Sequence, residues 1–221
     1  MNMLGHGVYS LPEAARLTRL KAQRVREWFG SREKDSTRSK SVFRSDYRPI
    51  DGDNAISFLD LIDLFVVGQL RNHGVALQSL RKVYSQLKKD LNTPHPFCRQ
   101  EVLTDGKNVF TLGLDDQNKS EMIEVLAQQR VFAEILLPFL KRIDYDDATR
   151  LARRWCIADR VVIDPSICFG KPIVSEVGMA TSILATAYEA NGKDAEVVAG
   201  WYDIHAKHVI AAVDFEQSFA A

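Results

Sequence analysis

The sequence predicts a mainly α protein of α+β character. It begins with a winged helix-turn-helix, continues through a central β-hairpin and helix connector, and ends in a small helix-turn-helix-like domain. Three observations carry this. The first fifty residues hold eleven Lys/Arg against five Asp/Glu, a net +6 in a chain whose total is zero, and that block coincides with two short helical runs around a tight turn. Apolar residues recur at helical spacing through Phe58, Leu61, Ile62, Phe65 and Val66, and again through Leu77, Leu80, Val83, Tyr84 and Leu87. The β-rich runs are short and bounded by turn residues.

Ser10-Leu11-Pro12-Glu13 has the capping-box pattern, with Pro in the first turn, and opens the first helix through Leu17. Thr18-Arg19-Leu20 turns the chain into a second helix over about 21–29, with Leu20, Val25, Trp28 and Phe29 on its inner face and Gly30 to end it. Residues 31–54 are polar, with a small hairpin expected over Val42–Arg48. Ser57-Phe58-Leu59-Asp60 caps a third helix, which Asn72-His73-Gly74 breaks, and a fourth runs over about 76–91. The breaker Asn92-Thr93-Pro94-His95-Pro96 marks a domain boundary. A hairpin about Thr104-Asp105-Gly106-Lys107 follows, built from Phe97–Leu103 and Asn108–Leu114, then a helix over 121–140 disturbed by Pro138. Beyond residue 156 come a strand at Val161–Ile163, a turn-rich stretch through Pro172, a helix at 181–190 stopped by Asn191-Gly192, a helix capped by Asp194, and a last helix from His205 to about Phe219. The expected domains are 1–91, 92–155 and 156–221.

A chain of 221 residues accommodates two small domains or one with appendages. No apolar run reaches the roughly 20 residues that span a bilayer, and the start at Met1–His6 lacks the charged flank and apolar core of a signal peptide. A cytoplasmic protein is expected. Cys98, Cys156 and Cys168 are odd in number and widely spaced, which fits reduced thiols rather than a disulfide framework.

The basic helix pair suits DNA. A rigid second helix presents polar groups to base edges in the major groove, and Gln23, Arg24, Arg26 and Glu27 supply them. Gln23 and Arg24 are the candidate base readers. Arg26, Arg44 and Arg48 are candidates for phosphate contact, with Tyr47 reaching the backbone from the wing. A solvated amphipathic pair in a helical bundle has the same pattern. Residues 156–221 carry four Lys/Arg and nine Asp/Glu, a net −5 that repels phosphate, so that end suits protein binding or dimerisation. Trp201, Tyr202, Val209, Val213 and Phe215 are its candidate partner-binding residues, though the same residues also fit a core. Phe169-Gly170-Lys171-Pro172 lacks the successive backbone amides of a phosphate loop. His205 and His208 sit at i, i+3 without a completing ligand, and Asp144, Asp146 and Asp147 lack calcium-loop spacing. No catalytic constellation, metal set or cofactor motif emerges, so the expectation is a non-enzymatic protein.

Two segments resemble known families. Tyr9–Leu17, Arg24-Val25-Arg26-Glu27-Trp28, Ile56–Leu61 and Leu70–Leu77 resemble the N-terminal winged helix-turn-helix of MerR-type regulators. In that resemblance Arg26 matches a recognition-helix Arg that sits near phosphate. Lys21 departs from the family's usual capping Ser or Thr, and 31–42 is an insertion. No effector-binding Cys set is visible, so metal sensing is not implied. Val161–Val174, Val177–Thr181, Ala190–Lys193, Val197–Tyr202 and Val209–Val213 resemble, in order, the bacterial family called domain of unknown function 433. The resemblance implies an antitoxin, often paired with a PIN-domain ribonuclease toxin, with longer members carrying a MerR-like head. The expectation is therefore a homodimeric antitoxin that binds double-stranded DNA at its own promoter, represses its operon and neutralises its toxin. The alternative is a protein-interaction adaptor or scaffold with no physiological DNA site.

Overall fold

The computed structural model describes residues 6–29, 42–49, 53–102 and 136–219. It divides into two compact units: Tyr9–Ala152, and Met1–Val8 together with Arg153–Ala221. Both helices and sheet are present, giving a mixed α+β protein. No helix among the described residues is long and apolar enough to cross a membrane.

In the larger unit, β1 (Tyr9–Ser10) pairs antiparallel with β2 (Ala55–Ile56), Tyr9 opposite Ile56. Helix α1 (Leu11–Thr18) starts as its sequence dictates: the Ser10 side chain accepts from the Glu13 amide at 3.3 Å, and Pro12 occupies a first-turn position with no intrahelical donor to lose. It ends on Arg19 in the left-handed region at φ 55°, whose amide and that of Leu20 return to the carbonyls of Arg16 and Ala15. Leu20 is then buried against Gly68 of α3 (Phe58–Asn72), where a Cβ would stand 2.7 Å from a Leu20 methyl. Helix α2 (Ala22–Phe29) buries Val25, Trp28 and Phe29. The Trp28 carbonyl at its end accepts from the amides of Val42 and Phe43.

Helix α3 opens with a reciprocal capping box between Ser57 and Asp60, and α4 (Leu77–Asp90) buries Leu80, Val83, Tyr84 and Leu87. The chain then forms a 3₁₀ turn at Pro96–Cys98, packed on α3. Short α5 (Leu137–Leu140) and β3 (Ile143–Tyr145) follow.

Three sequence expectations change here. Residues 42–48 form no hairpin, because their polar groups are engaged elsewhere: Ser45 donates to the Ala55 carbonyl and the Asp46 amide to the Asp60 carboxylate. Phe97–Val102 forms no strand, because the Phe97 amide is held by Asp63 and the segment coils. The compact unit runs on through Asn92–Pro96 to Ala152, so the turn read as a domain edge lies inside it. The Thr104–Lys107 hairpin, Gly30 and most of the 121–140 helix lie outside the described residues.

The smaller unit contains most of β4 (Ala152–Ala158), then β5 (Val161–Ile163), β6 (Pro172–Val174) and β7 (Met179–Ala180), antiparallel neighbours in that order with an irregularity between Cys156 and Ala158. Three helices follow: α6 (Thr181–Ala190), α7 (Ala195–Tyr202) and α8 (Ala206–Gln217). Asn191 caps α6, and the Asp194 side chain caps α7 by accepting from the amides of Glu196 and Val197. Val174, Leu184, Val198, Val209, Ala212 and Val213 pack into one core.

Candidate functional site

The candidate DNA-facing surface is the α1–α2 pair. Its buried face is apolar except for Thr18, whose hydroxyl donates to the Ala14 carbonyl at 2.6 Å, and its polar side chains otherwise lie outward. On α2, Gln23, Arg26 and Glu27 are exposed, and Gln23 Nε2 donates to Glu27 Oε1 at 3.0 Å. Arg24 is half-buried, and its Nη1 donates at 2.8 Å to Oδ1 of Asn72, the last residue of α3. Arg44 and Arg48 are exposed; Arg44 follows directly on the two amides that bind the α2 terminus. Tyr47 is only 8% exposed and belongs to the interior, so burial removes it from the surface role the sequence suggested. Burial, helped by the nearby Asp46 and Asp60 charges, pushes its hydroxyl up to about 12.

An aromatic series runs inward from this helix. Phe29 stacks on Phe43 at 5.0 Å, Phe43 meets Tyr84 edge-on at 5.2 Å, and Tyr84 lies 5.6 Å from Phe97. It leads to a polar cluster that the sequence reading missed. Asp63 is fully buried and all its acceptor positions are occupied: Oδ1 by the Phe97 amide at 3.1 Å and the Cys98 thiol at 3.7 Å, Oδ2 by the Tyr84 hydroxyl at 2.8 Å and His95 Nδ1 at 3.0 Å. His95 Nε2 faces Asp46 at 3.0–3.1 Å, and Asp46 accepts from the Ser57 hydroxyl at 2.6 Å. With a carboxylate on each ring nitrogen, His95 is an imidazolium donating twice. Burial opposes its charge, but the hydrogen bonds to Asp46 and Asp63 outweigh that and lift it to about 10. Asp60 moves to about 6, raised by burial and the Asp46 charge against the pull of the Ser57 amide. Burial also pushes the Tyr84 hydroxyl and the Cys98 thiol upward.

These residues include the donors a metal would need. Asp63, His95 and Cys98, and likewise Asp46, Asp60 and His95, bring ligand atoms within 4.8 Å of one another. Protons already join them, however: the single Cys98 S–H is shared between the Leu59 carbonyl at 3.2 Å and Asp63 Oδ1 at 3.7 Å, and both His95 nitrogens point at carboxylates. The arrangement acts as a clamp. It fixes the 93–98 turn and the 45–47 segment to α3, and through the aromatic series it backs α2. Its signal in the sequence was Asp60 and Asp63, two carboxylates spaced i, i+3 on the apolar face of α3.

In the smaller unit, the candidate partner residues divide. Trp201 is 63% exposed and Tyr202 38%, whereas Val209, Val213 and Phe215 are at most 5% exposed. The last three face the core of α8 and are corrected from partner-binding to packing. Sequence reasoning also missed Phe169, Ile183 and Val197, which are 60%, 50% and 42% exposed. His208 is buried and bonds Glu176 at 2.7 Å, while His205 is exposed. Glu176 also takes Arg160 and Lys207, and these partners, His208 foremost, hold it down at about 2. All three cysteines are free thiols.

Residues 161–215 match the model of a family described as a protein of unknown function (DUF433). No curated protein matches the chain. Among solved structures, the X-ray crystal structure of Rv2018 from Mycobacterium tuberculosis is similar over 93% of this chain and 96% of its own, with a TM-score of 0.72 and 22% sequence identity. The chain therefore shares a fold with Rv2018, and its C-terminal end is similar to a family whose function is unassigned.

Proposed function

We propose that this protein is a sequence-specific DNA-binding regulator, the antitoxin of a toxin–antitoxin pair. In this reading α1 and α2 form a MerR-like winged helix-turn-helix that enters the major groove of its own promoter. The single observation that carries it is the polar outward face of α2, with Gln23, Arg26 and Glu27 exposed, inside a sequence segment of net +6. Arg26, Arg44 and Arg48 contact phosphate and set the register. An α2 of eight residues reads few base pairs, so a homodimer doubles the site.

The acidic end takes the protein partner, a cognate toxin of the PIN-domain ribonuclease kind. A nuclease that holds RNA carries a basic field, and an acidic surface with exposed aromatic anchors at Trp201 and Tyr202 complements it. The same exposure of Trp201 favours the second reading, an adaptor without a DNA site. Retention on heparin and salt-dependent binding to the upstream promoter separate the two: the regulator binds with a steep salt dependence, the adaptor does not bind. Co-purification with the neighbouring gene product, lost on Trp201→Ala, tests the toxin arm.

A further inference from the structure

We propose that the base-reading element of α2 is the Gln23–Glu27 pair, which selects cytosine or adenine by their exocyclic amino groups, and that Arg24 is a positioning residue. The inference rests on the DNA-binding reading above. Gln23 and Glu27 are both exposed, one helical turn apart, and joined at 3.0 Å. A carboxylate only accepts, so this bond fixes which end of the Gln23 amide carries the NH₂. The pair then offers outward two acceptor oxygens, Gln23 Oε1 and Glu27 Oε2, and one remaining Gln23 N–H.

In the major groove the only donors are the N4 amino group of cytosine and the N6 amino group of adenine, while guanine and thymine present O6 and O4. An acceptor-rich pair therefore bonds C or A. Set against G or T, the Glu27 carboxylate meets another acceptor and loses its hydration without replacement. Discrimination arises from that penalty as much as from the bonds formed. Arg24 has a different task. Its Nη1 is engaged with Asn72 Oδ1 at 2.8 Å and its side chain is half-buried, so it ties α2 to the end of α3.

The test is selection of bound sequences from a random duplex library by the full-length protein and by Glu27→Gln, Gln23→Ala and Arg24→Ala. Both Gln23 and Glu27 are exposed, so their variants fold, and circular dichroism checks this. The wild type is expected to enrich a motif with at least one position restricted to C or A. Glu27→Gln relaxes that position by about tenfold while keeping or gaining affinity for scrambled duplex, because a negative charge leaves the phosphate field. Gln23→Ala relaxes the same or the adjacent position. Arg24→Ala keeps the motif and binds all duplexes more weakly. A motif unchanged in both Glu27→Gln and Gln23→Ala, or one rewritten by Arg24→Ala, overturns the assignment. Salt-sensitive binding with no motif at all also overturns it and leaves the DNA reading standing. No salt-sensitive binding to any duplex overturns the DNA reading itself.

Discussion

The two compact units place their polar and apolar groups in opposite ways. In Tyr9–Ala152, a cluster of titratable groups goes inside: Asp60, Asp63 and His95 are at most 3% exposed. In the smaller unit, the Glu176 cluster is half-exposed, and all seven exposed large apolar side chains found among the described residues belong to this unit. The difference separates two uses of charge. A desolvated carboxylate with every acceptor position filled locks a geometry and is costly to disturb. A solvated one binds its partners in a high-dielectric surface and contributes little. The first unit is built to hold α2 rigidly and leaves a polar, cationic exterior. The second is acidic in sequence and leaves the aromatic side chains of Phe169, Trp201 and Tyr202 exposed.

The largest expected effect comes from Asp63→Ala. It strips the acceptor from Tyr84, His95 and the Phe97 amide together, and about 3–5 kcal/mol of stability goes with it. Urea unfolding checks this, with Glu176→Gln as the partner experiment, which is expected to leave the transition unmoved. Equal effects from the two variants would erase the contrast between the units.

Stability should also depend on pH through His95. The neighbouring titratable groups are Asp46, Asp60, Asp63, Tyr84 and Cys98. His95 is lifted in the folded protein from 6.5 to about 10. The stability from its charged form is therefore complete below pH 6.5 and disappears as pH rises through about 10. The sign is the same for Asp60, raised from 3.8 to about 6: the neutral acid favours the fold, and that contribution is lost as pH climbs through about 6. Melting temperatures measured from pH 6.5 to 10 should fall, by the equivalent of a few kcal/mol, and His95→Gln should flatten the curve. A flat wild-type curve would show the clamp to be uncharged.

Smaller effects sharpen the picture. Gly68→Ala places a methyl against buried Leu20 and should cost about 1–3 kcal/mol through overpacking. Trp201→Ala should change stability by less than about 0.5 kcal/mol, since the side chain is 63% exposed, and under the proposed antitoxin reading it removes capture of the neighbouring gene product. A marked loss of stability in that variant would make Trp201 part of the fold rather than a docking residue.

Helix starts were legible because they depend on local chemistry. Ser10, Ser57 and Asp194 each cap the helix their neighbours predict, and the buried faces of α2 and α4 follow the apolar period. Long-range pairing was not legible. His95 stood in a stretch that reads as a breaker, yet it bonds Asp63 and Asp46, 32 and 49 residues away. That is why the 92–96 turn reads as a boundary in the sequence alone. A chain ended at Leu91 lacks His95 and Phe97 and should melt below one ended at Ala152. Likewise Val209, Val213 and Phe215 have the composition of an interface, and only the packing of α8 shows them to be core. Arg24 looked free to read bases because Asn72, its partner, is 48 residues distant.

The most direct test of the central claim is the salt dependence of binding to the protein's own upstream promoter, measured for the full-length wild type and Arg26→Ala. Affinity of the wild type is expected to fall steeply with salt. Arg26→Ala is expected to weaken binding to specific and scrambled duplex alike and to lower the log–log slope by about one unit. Absence of binding at low salt, or identical slopes for the two proteins, would contradict it.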